Sequence, residues 1–263
     1  MSFLTITTDF GTKDGFVGTM KGVIWKICPG VQIADISHEI SPQNVTEGAI
    51  ALWRAYLYFP DGTVHVFVVD PGVGTQRRPI AARLGTQYFV GPDNGLLTPI
   101  VEDAEAKGWP VEFVHMTNPK YWLPDVSHTF HGRDIFSPAG AWLANGVNIH
   151  ELGPVVTDPV RRPLPKPQKT ETGWLTQIMV VDSFGNCTTN LPAAEVAGAI
   201  DIQFKAGGQT VNGLVTSYGH RKPGDLVALV DSESFVEIAE VNGSASRRLG
   251  LRVGDPVEVI CSK

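Results

Sequence analysis

The chain has 263 residues, of which 43% are hydrophobic and 18% charged, so it holds one large domain or two modest ones with a packed core. Lys plus Arg is 21 against Asp plus Glu 27, and the net charge of −6 argues against non-specific nucleic-acid binding, which rests on basic patches. No apolar run is long enough for a membrane span, and the start, MSFLTITTDFG, has no basic segment leading into an apolar one, so neither a span nor a signal peptide is expected.

The first elements alternate between strand and helix. FLTITTDF reads as a strand that stops at Asp9. DGFVGTMKGVIWKICPG has helical apolar spacing, with Asp14 as the expected cap and Pro29-Gly30 as the stop. VQIADIS is a second strand. NVTEGAIALWRAYLYFP is a helix, with Asn44 and Glu47 spaced as a capping box and Pro60 at its end. TVHVFVVD is a near-continuous apolar run, which marks a strand covered on both faces. RPIAARLGTQYFVGPDNG reads as a hairpin turning at Gly85-Thr86, and FSPAGAWLANG as a short helix. Together these predict an α/β N-terminal domain, a layered sheet with flanking helices.

Residues 158–173 carry Pro159, Pro163, Pro165 and Pro167 among basic residues, which reads as a stiff linker. We place the N-terminal domain at 1–160, the linker at 161–172 and a C-terminal domain at 173–263. Beyond the linker, WLTQIMVVDSFGNCTTNL, IDIQFKAGGQTV, LVALVDSESFVEIAEV and DPVEVICSK alternate with a period of two, broken by Gly and Asp turns. That pattern predicts a smaller all-β barrel or sandwich. Cys28, Cys187 and Cys261 are odd in number and widely spaced, as expected of reduced thiols in a cytoplasmic protein.

In a layered α/β sheet, ligands collect beyond the carboxyl ends of strands. Asp9 and Asp70 stand at such ends. An aspartate there can simply form a turn. For Asp70 the buried strand before it, the stiff Pro71, the permissive Gly72 and Gly74, and the nearby Arg77 and Arg78 favour a site. In TFHGRDIF, His131, Arg133 and Asp134 sit between apolar shoulders, which makes them either a structural knot or a site. The chain has no Gly-Lys-Ser/Thr loop, no G-x-G-x-x-G and no G-x-S-x-G elbow. His128 and His131 have no H-E-x-x-H or C-x-x-C context, so no metal is expected. Asn94-Gly95 suits a turn. In VDSFGNCTTN, Phe184 stands beside Asp182 and Asn186, where it could stack on a flat base or plug a barrel end.

Five segments in order, TDFGTKDGFVG, DPGVGTQRR, GPDNGLL, TFHGRDIFSPA and DSFGNCTTN, resemble those of the S-adenosylmethionine hydroxide adenosyltransferases, relatives of fluorinating and chlorinating enzymes. The resemblance implies an α/β domain, a C-terminal β-barrel and a homotrimer, with active sites between the N-terminal domain of one subunit and the C-terminal domain of the next. It implies hydrolysis of S-adenosylmethionine to adenosine and methionine, with that molecule as substrate and no cofactor. The family's catalytic residues fall on Asp70, Arg77 and His131, and its ribose-binding aspartate on Asp9. Adenine and methionine contacts fall on Asp182, Phe184, Asn186, Ser232 and Asn242, with Phe130 as a pocket wall. The halogenating relatives carry Tyr in place of Asp70, and Tyr or another residue in place of His131. Fluorinating ones carry Ser in place of Gly132 and Arg in place of Glu233. These departures argue against the alternative of a halogenating enzyme. A second alternative is a protein that binds S-adenosylmethionine or adenosine without turnover.

Overall fold

A computed structural model describes residues 2–262. The chain divides into two compact units, one ending at Leu164 and the other beginning at Pro165.

The first unit alternates as its sequence periods suggest: β1 (Phe3–Thr8), α1 (Phe16–Ile27), β2 (Gln32–Ser37), α2 (Val45–Ala55) and β3 (Val64–Val68). A hairpin of β4 (Pro79–Leu84) and β5 (Gln87–Pro92) follows, then α3 (Thr98–Ala106), β6 (Val111–His115) and α4 (Ser137–Ala144). The six strands form one sheet in the order β2-β1-β3-β5-β4-β6. β1, β2, β3 and β5 run parallel, and β4 is antiparallel to both β5 and β6.

β3 shows why the sequence there is apolar throughout. Val64, Val66 and Val68 join one core with Leu4, Ile6 and the α1 and α4 residues Met20, Ile24 and Ala139. Phe67, and Val69 just after the strand, face the other core, with Val45, Ala49 and Leu52 of α2 and Ile100 and Val101 of α3. Alternate side chains thus bury against helices on both faces of the sheet.

Two local expectations change. Asp14 does not cap α1: the cap position is Gly15 and no side chain bonds to the helix end. Asn44 does cap α2, its side chain accepting from Glu47 N–H at 3.1 Å. Glu47 reaches back to Ser41 N–H and Asn44 Nδ2, both at 3.1 Å, instead of the Asn44 amide of a standard capping box. α3 and β6 have no counterpart among the expected elements. α3 begins Thr98-Pro99 with acidic residues on its outer face, so its helical period is weakly marked.

Residue 65 of β3 is a fully buried histidine. Thr5 Oγ1 lies 2.8 Å from His65 Nδ1, and the ring stacks on Phe89 at 4.9 Å. Burial pushes the imidazole down to about 3, against the nearby Gln87 side chain, which pulls the other way. The folded chain therefore stays unprotonated where the unfolded chain takes a proton, below about 6.5. Stability from this group is present above that pH and is lost as pH falls towards 3, at about 1.4 kcal/mol per unit. Urea unfolding at pH 7.5 and 5.5 is expected to show a smaller loss for His65→Leu than for the wild type. Equal losses would count against it.

The second unit holds β7 (Gln168–Lys169), β8 (Gly173–Val181), β9 (Cys187–Pro192), β10 (Ile200–Ala206), β11 (Gln209–Asn212), β12 (Leu226–Val230), β13 (Phe235–Glu240), α5 (Ala245–Leu249) and β14 (Pro256–Ser262). The order β11-β10-β14-β8-β9-β13-β12, antiparallel throughout with β7 beside β8, makes a nearly closed barrel. Its core includes Ile178, Leu191, Phe204, Val236, Ile238 and Val257. The proline-rich stretch is tied down at its start: Val160 N–H donates to Asp93 and Arg162 N–H to Thr98 Oγ1. Among the described residues no helix is long and apolar enough to cross a membrane, and all three cysteines are free.

Candidate active site

The loop after β3 builds the first half of the site. Val73 N–H bonds to Asp70 O and Thr75 N–H to Gly72 O, both at 3.2 Å, so two successive turns carry the chain back on itself. Arg77 then meets Asp70 with two parallel bonds: Nε donates to Oδ1 at 3.1 Å and Nη2 donates to Oδ2. Both side chains are almost wholly buried, at 7% and 4% exposure, which is where a forked guanidinium–carboxylate pair holds its geometry. Asn94 braces this end of the sheet by donating to Val69 O at 2.8 Å. Gly95 supplies the positive φ of that turn, and Asn94 does not.

The second half comes from TFHGRDIF. Residues Gly132–Phe136 form one π-helical turn ahead of α4, a distortion often found at functional sites. His131 stands at its start, and its Nδ1 lies 3.0 Å from Arg77 Nη2. Phe136, at the other end of the turn, lies under the Arg77 guanidinium at 5.2 Å. Asp134 is fully buried and is the knot of the loop. It accepts from Ser127 N–H at 2.8 Å, Ser127 Oγ at 2.6 Å and Arg133 Nε at 2.6 Å. Burial alone would raise its pKa, but the bonds from Arg133 and Ser127 hold it below the usual carboxylate range. The two loops touch at Gly74, whose φ is +75° and whose added Cβ would stand 2.4 Å from His128 O. Only glycine lets them come this close.

Asp9, Asp70 and His131 line one cleft of about 340 Å³ with Phe10, Phe16 and Phe130. The three rings meet edge to face, with centroids 5.3–5.8 Å apart. Asp9 Oδ2 accepts from Gln43 N–H at 2.8 Å. Gln43, Phe10 and Phe16 belong to the site although the sequence reading did not single them out. Gln43 leaves no sequence signal, because its role is a backbone amide held at φ +64°. The His131 pKa is lowered, first by burial and then by the Arg77 charge; Asp70, Asp134 and the Ser127 backbone pull the other way.

The remaining candidates lie in the second unit. Asp182 Oδ1 accepts from Phe184 N–H and Asn186 N–H, and its Oδ2 from Asn186 Nδ2, so these three form one self-contained turn between β8 and β9. Phe184 is 76% exposed at its tip. Ser232 sits on the β12–β13 turn beside Glu233. Asn242 sits on the turn after β13 with φ +55°. That turn abuts the first one: Ser246 N–H donates to Gly185 O at 2.9 Å, and a Cβ on Gly185 would stand 2.0 Å from Ser244 Oγ. Among the described residues no group of three or more His, Cys, Asp or Glu is arranged to hold a metal.

Two family models match the chain. The SAM hydroxide adenosyltransferase N-terminal domain covers residues 4–153 and the C-terminal domain residues 176–258. The chain belongs to the SAM hydroxide adenosyltransferase family. It is 37% identical to the (R)-S-adenosyl-L-methionine hydrolase of Salinispora tropica, covering 98% of this chain and 97% of that protein. A fluorinase of an Actinoplanes species is 30% identical over 74% of each chain. The crystal structure of an uncharacterized conserved protein from Thermotoga maritima superposes with a TM-score of 0.89 at 35% identity, over 98% of this chain and 99% of that one. Within this family member, three of the four segments that carried the resemblance in the N-terminal half are the loops that meet around the cleft: 8–18, 70–78 and 129–139.

Proposed function

We propose that this protein hydrolyses S-adenosylmethionine to adenosine and L-methionine. One observation carries the reading: the linked Asp70, Arg77 and His131 stand beside a cleft that also holds Asp9 and three aromatic rings. Two carboxylates and aromatic faces suit a sulfonium cation. Asp9 suits a vicinal diol, since one carboxylate accepts from two hydroxyls.

The chemistry needs a positioned water. Its oxygen attacks the ribose 5′ carbon opposite sulfur, the C5′–S bond breaks, and the electron pair leaves on methionine as a neutral thioether. No acid is required at the leaving group, and no metal or cofactor takes part in the proposed reaction. The water loses its proton to the protein. Arg77 can only donate hydrogen bonds, so Nδ1 of His131 must be the acceptor in the contact at 3.0 Å. A neutral His131 then carries its hydrogen on Nε2, and it acts as a donor that orients. This leaves Asp70, which keeps lone pairs beyond the two given to Arg77, as the base. Base catalysis of this kind is worth about 10²–10⁴-fold. The Asp70 carboxylate also repels a halide nucleophile.

Three finer features belong to this proposal. The relatives' name specifies the R sulfonium epimer, and we extend that preference to this chain. Phe184 offers the open ring for adenine, with Asp182 and Asn186 shaping its turn and Ser232, Asn242 and Phe130 as further contacts. The working form is a cytoplasmic homotrimer with sites completed by neighbouring subunits.

Purified protein incubated with S-adenosylmethionine in sodium chloride or fluoride is expected to give adenosine and methionine in equal amounts. Accumulation of a 5′-halo-5′-deoxyadenosine, or no turnover of either epimer, would sink the reading. A pH profile adds a second check. Protonating His131 sets an N–H against Arg77, and burial and Arg77 both hold its pKa below 6.5. The acid limb of kcat/KM due to His131 is expected below pH 6.5 and absent from His131→Gln. A limb centred at or above 6.5 that vanishes in His131→Gln would contradict this.

A further inference from the structure

We propose that His38 is a positioning residue for the substrate's ribose, acting through the Thr8–Gly11 turn that carries Asp9. The inference rests on the assignment of Asp9 as the ribose contact. His38 follows β2 and is 7% exposed. It holds the turn on both sides of Asp9. Its Nδ1 lies 2.9 Å from Thr8 Oγ1, and its backbone carbonyl accepts from Gly11 N–H at 2.7 Å. Thr8 Oγ1 also accepts from Phe10 N–H at 3.3 Å. The residues flanking Asp9 are thus both fastened to one imidazole, directly or through a single hydroxyl.

The other ring nitrogen looks away from the cleft. His38 Nε2 is 3.1 Å from Asp35 Oδ1, off the line of a good hydrogen bond and with no better partner. Asp35 Oδ2 in turn receives Lys21 Nζ of α1 at 2.6 Å. The donors and acceptors run in one direction. Phe10 N–H donates to Thr8, the Thr8 hydroxyl hydrogen is free to donate to Nδ1, and the imidazole hydrogen on Nε2 faces Asp35. The chain Lys21–Asp35–His38–Thr8 therefore ties α1 and the end of β2 to the end of β1. Gln43 N–H on Asp9 Oδ2 fixes the remaining rotation of the carboxylate. Such bracing matters, because a displacement near 1 Å at a positioning group can cost about 10²-fold in rate.

A histidine that only filled the core would affect melting temperature and leave recognition of the diol alone. The test is calorimetric titration of the full chain with adenosine and with 2′,3′-dideoxyadenosine. Wild type is expected to prefer adenosine by about tenfold or more, the worth of hydrogen bonds to a charged acceptor. Asp9→Asn defines the level without that preference. His38→Ala and the isosteric Thr8→Val are expected to fall close to that level, and Thr8→Ser, which keeps the hydroxyl, to stay near wild type. If His38→Ala does not fold, the Thr8→Val and Thr8→Ser pair still decides. A wild-type preference in Thr8→Val, or in a folded His38→Ala, overturns the proposal whatever the melting temperatures. No preference in the wild type removes Asp9 from the ribose and the proposal with it. Adenosine formation from S-adenosylmethionine, assayed separately, shows whether the hydrolase reading survives that outcome.

Discussion

Asp70→Asn is expected to lower kcat for S-adenosylmethionine hydrolysis by about 10²–10⁴-fold while adenosine still binds. The amide keeps the volume, and its oxygen can still accept from Arg77, but it cannot take a proton from water. Stability should fall as well, because the Asp70–Arg77 pair is buried and one partner loses its charge. Leaving a buried charge uncompensated costs about 3–5 kcal/mol when the partner is removed outright, and the amide's remaining bond should soften that. Kinetics, adenosine titration and thermal unfolding on one preparation separate the two effects. A folded Asp70→Asn protein with wild-type kcat would remove Asp70 from the chemistry.

Asp134→Ala is expected to be the most damaging change outside the cleft. The side chain has no exposure and anchors Ser127 through both its amide and its hydroxyl. Its backbone carbonyl accepts from Leu123 N–H at 2.9 Å, so the 123–134 loop closes on this residue. Deletion strands the Ser127 groups, while Arg133, whose side chain is 36% exposed, loses its partner but can turn to water. A loss of about 3 kcal/mol is the scale for such a network, or a fall in Tm of order 10 °C for a chain this long. Activity should fall further than stability accounts for, since His131 begins the turn that Asp134 holds. Full activity at a temperature where the variant is folded would show that the loop does not need this knot.

Much of this was legible before any coordinates. The alternation of strand and helix, the doubly covered β3 and the period-two half all followed from apolar spacing. Asp70 was legible because a buried strand, a proline and two glycines announce a rigid turn, while the choice of Arg77 over Arg78 as its partner came from the resemblance. Their bond to His131, 54 residues beyond Arg77, was not legible. It depends on Gly74 letting one loop lie on the backbone of another, and no local pattern reports a long-range approach. The resemblance supplied that link where residue chemistry alone left a knot or a site. α3 and β6 were missed because a weak helical period and a short strand look alike in a polar context. Asp14 was misread as a cap because a cap needs a side chain turned onto the helix end, and its backbone does not place it there. Gln43 acts through its amide, so its side-chain identity carried no information.

The central claim is that water, held by Asp70, Arg77 and His131, displaces methionine at the 5′ carbon. Turnover of S-adenosylmethionine in heavy-oxygen water, followed by mass spectrometry of the adenosine, tests it most directly. The expected result is one heavy oxygen at the 5′ hydroxyl in wild type and loss of that product in Asp70→Asn. Unlabelled adenosine, or labelled adenosine at an undiminished rate from Asp70→Asn, would contradict it.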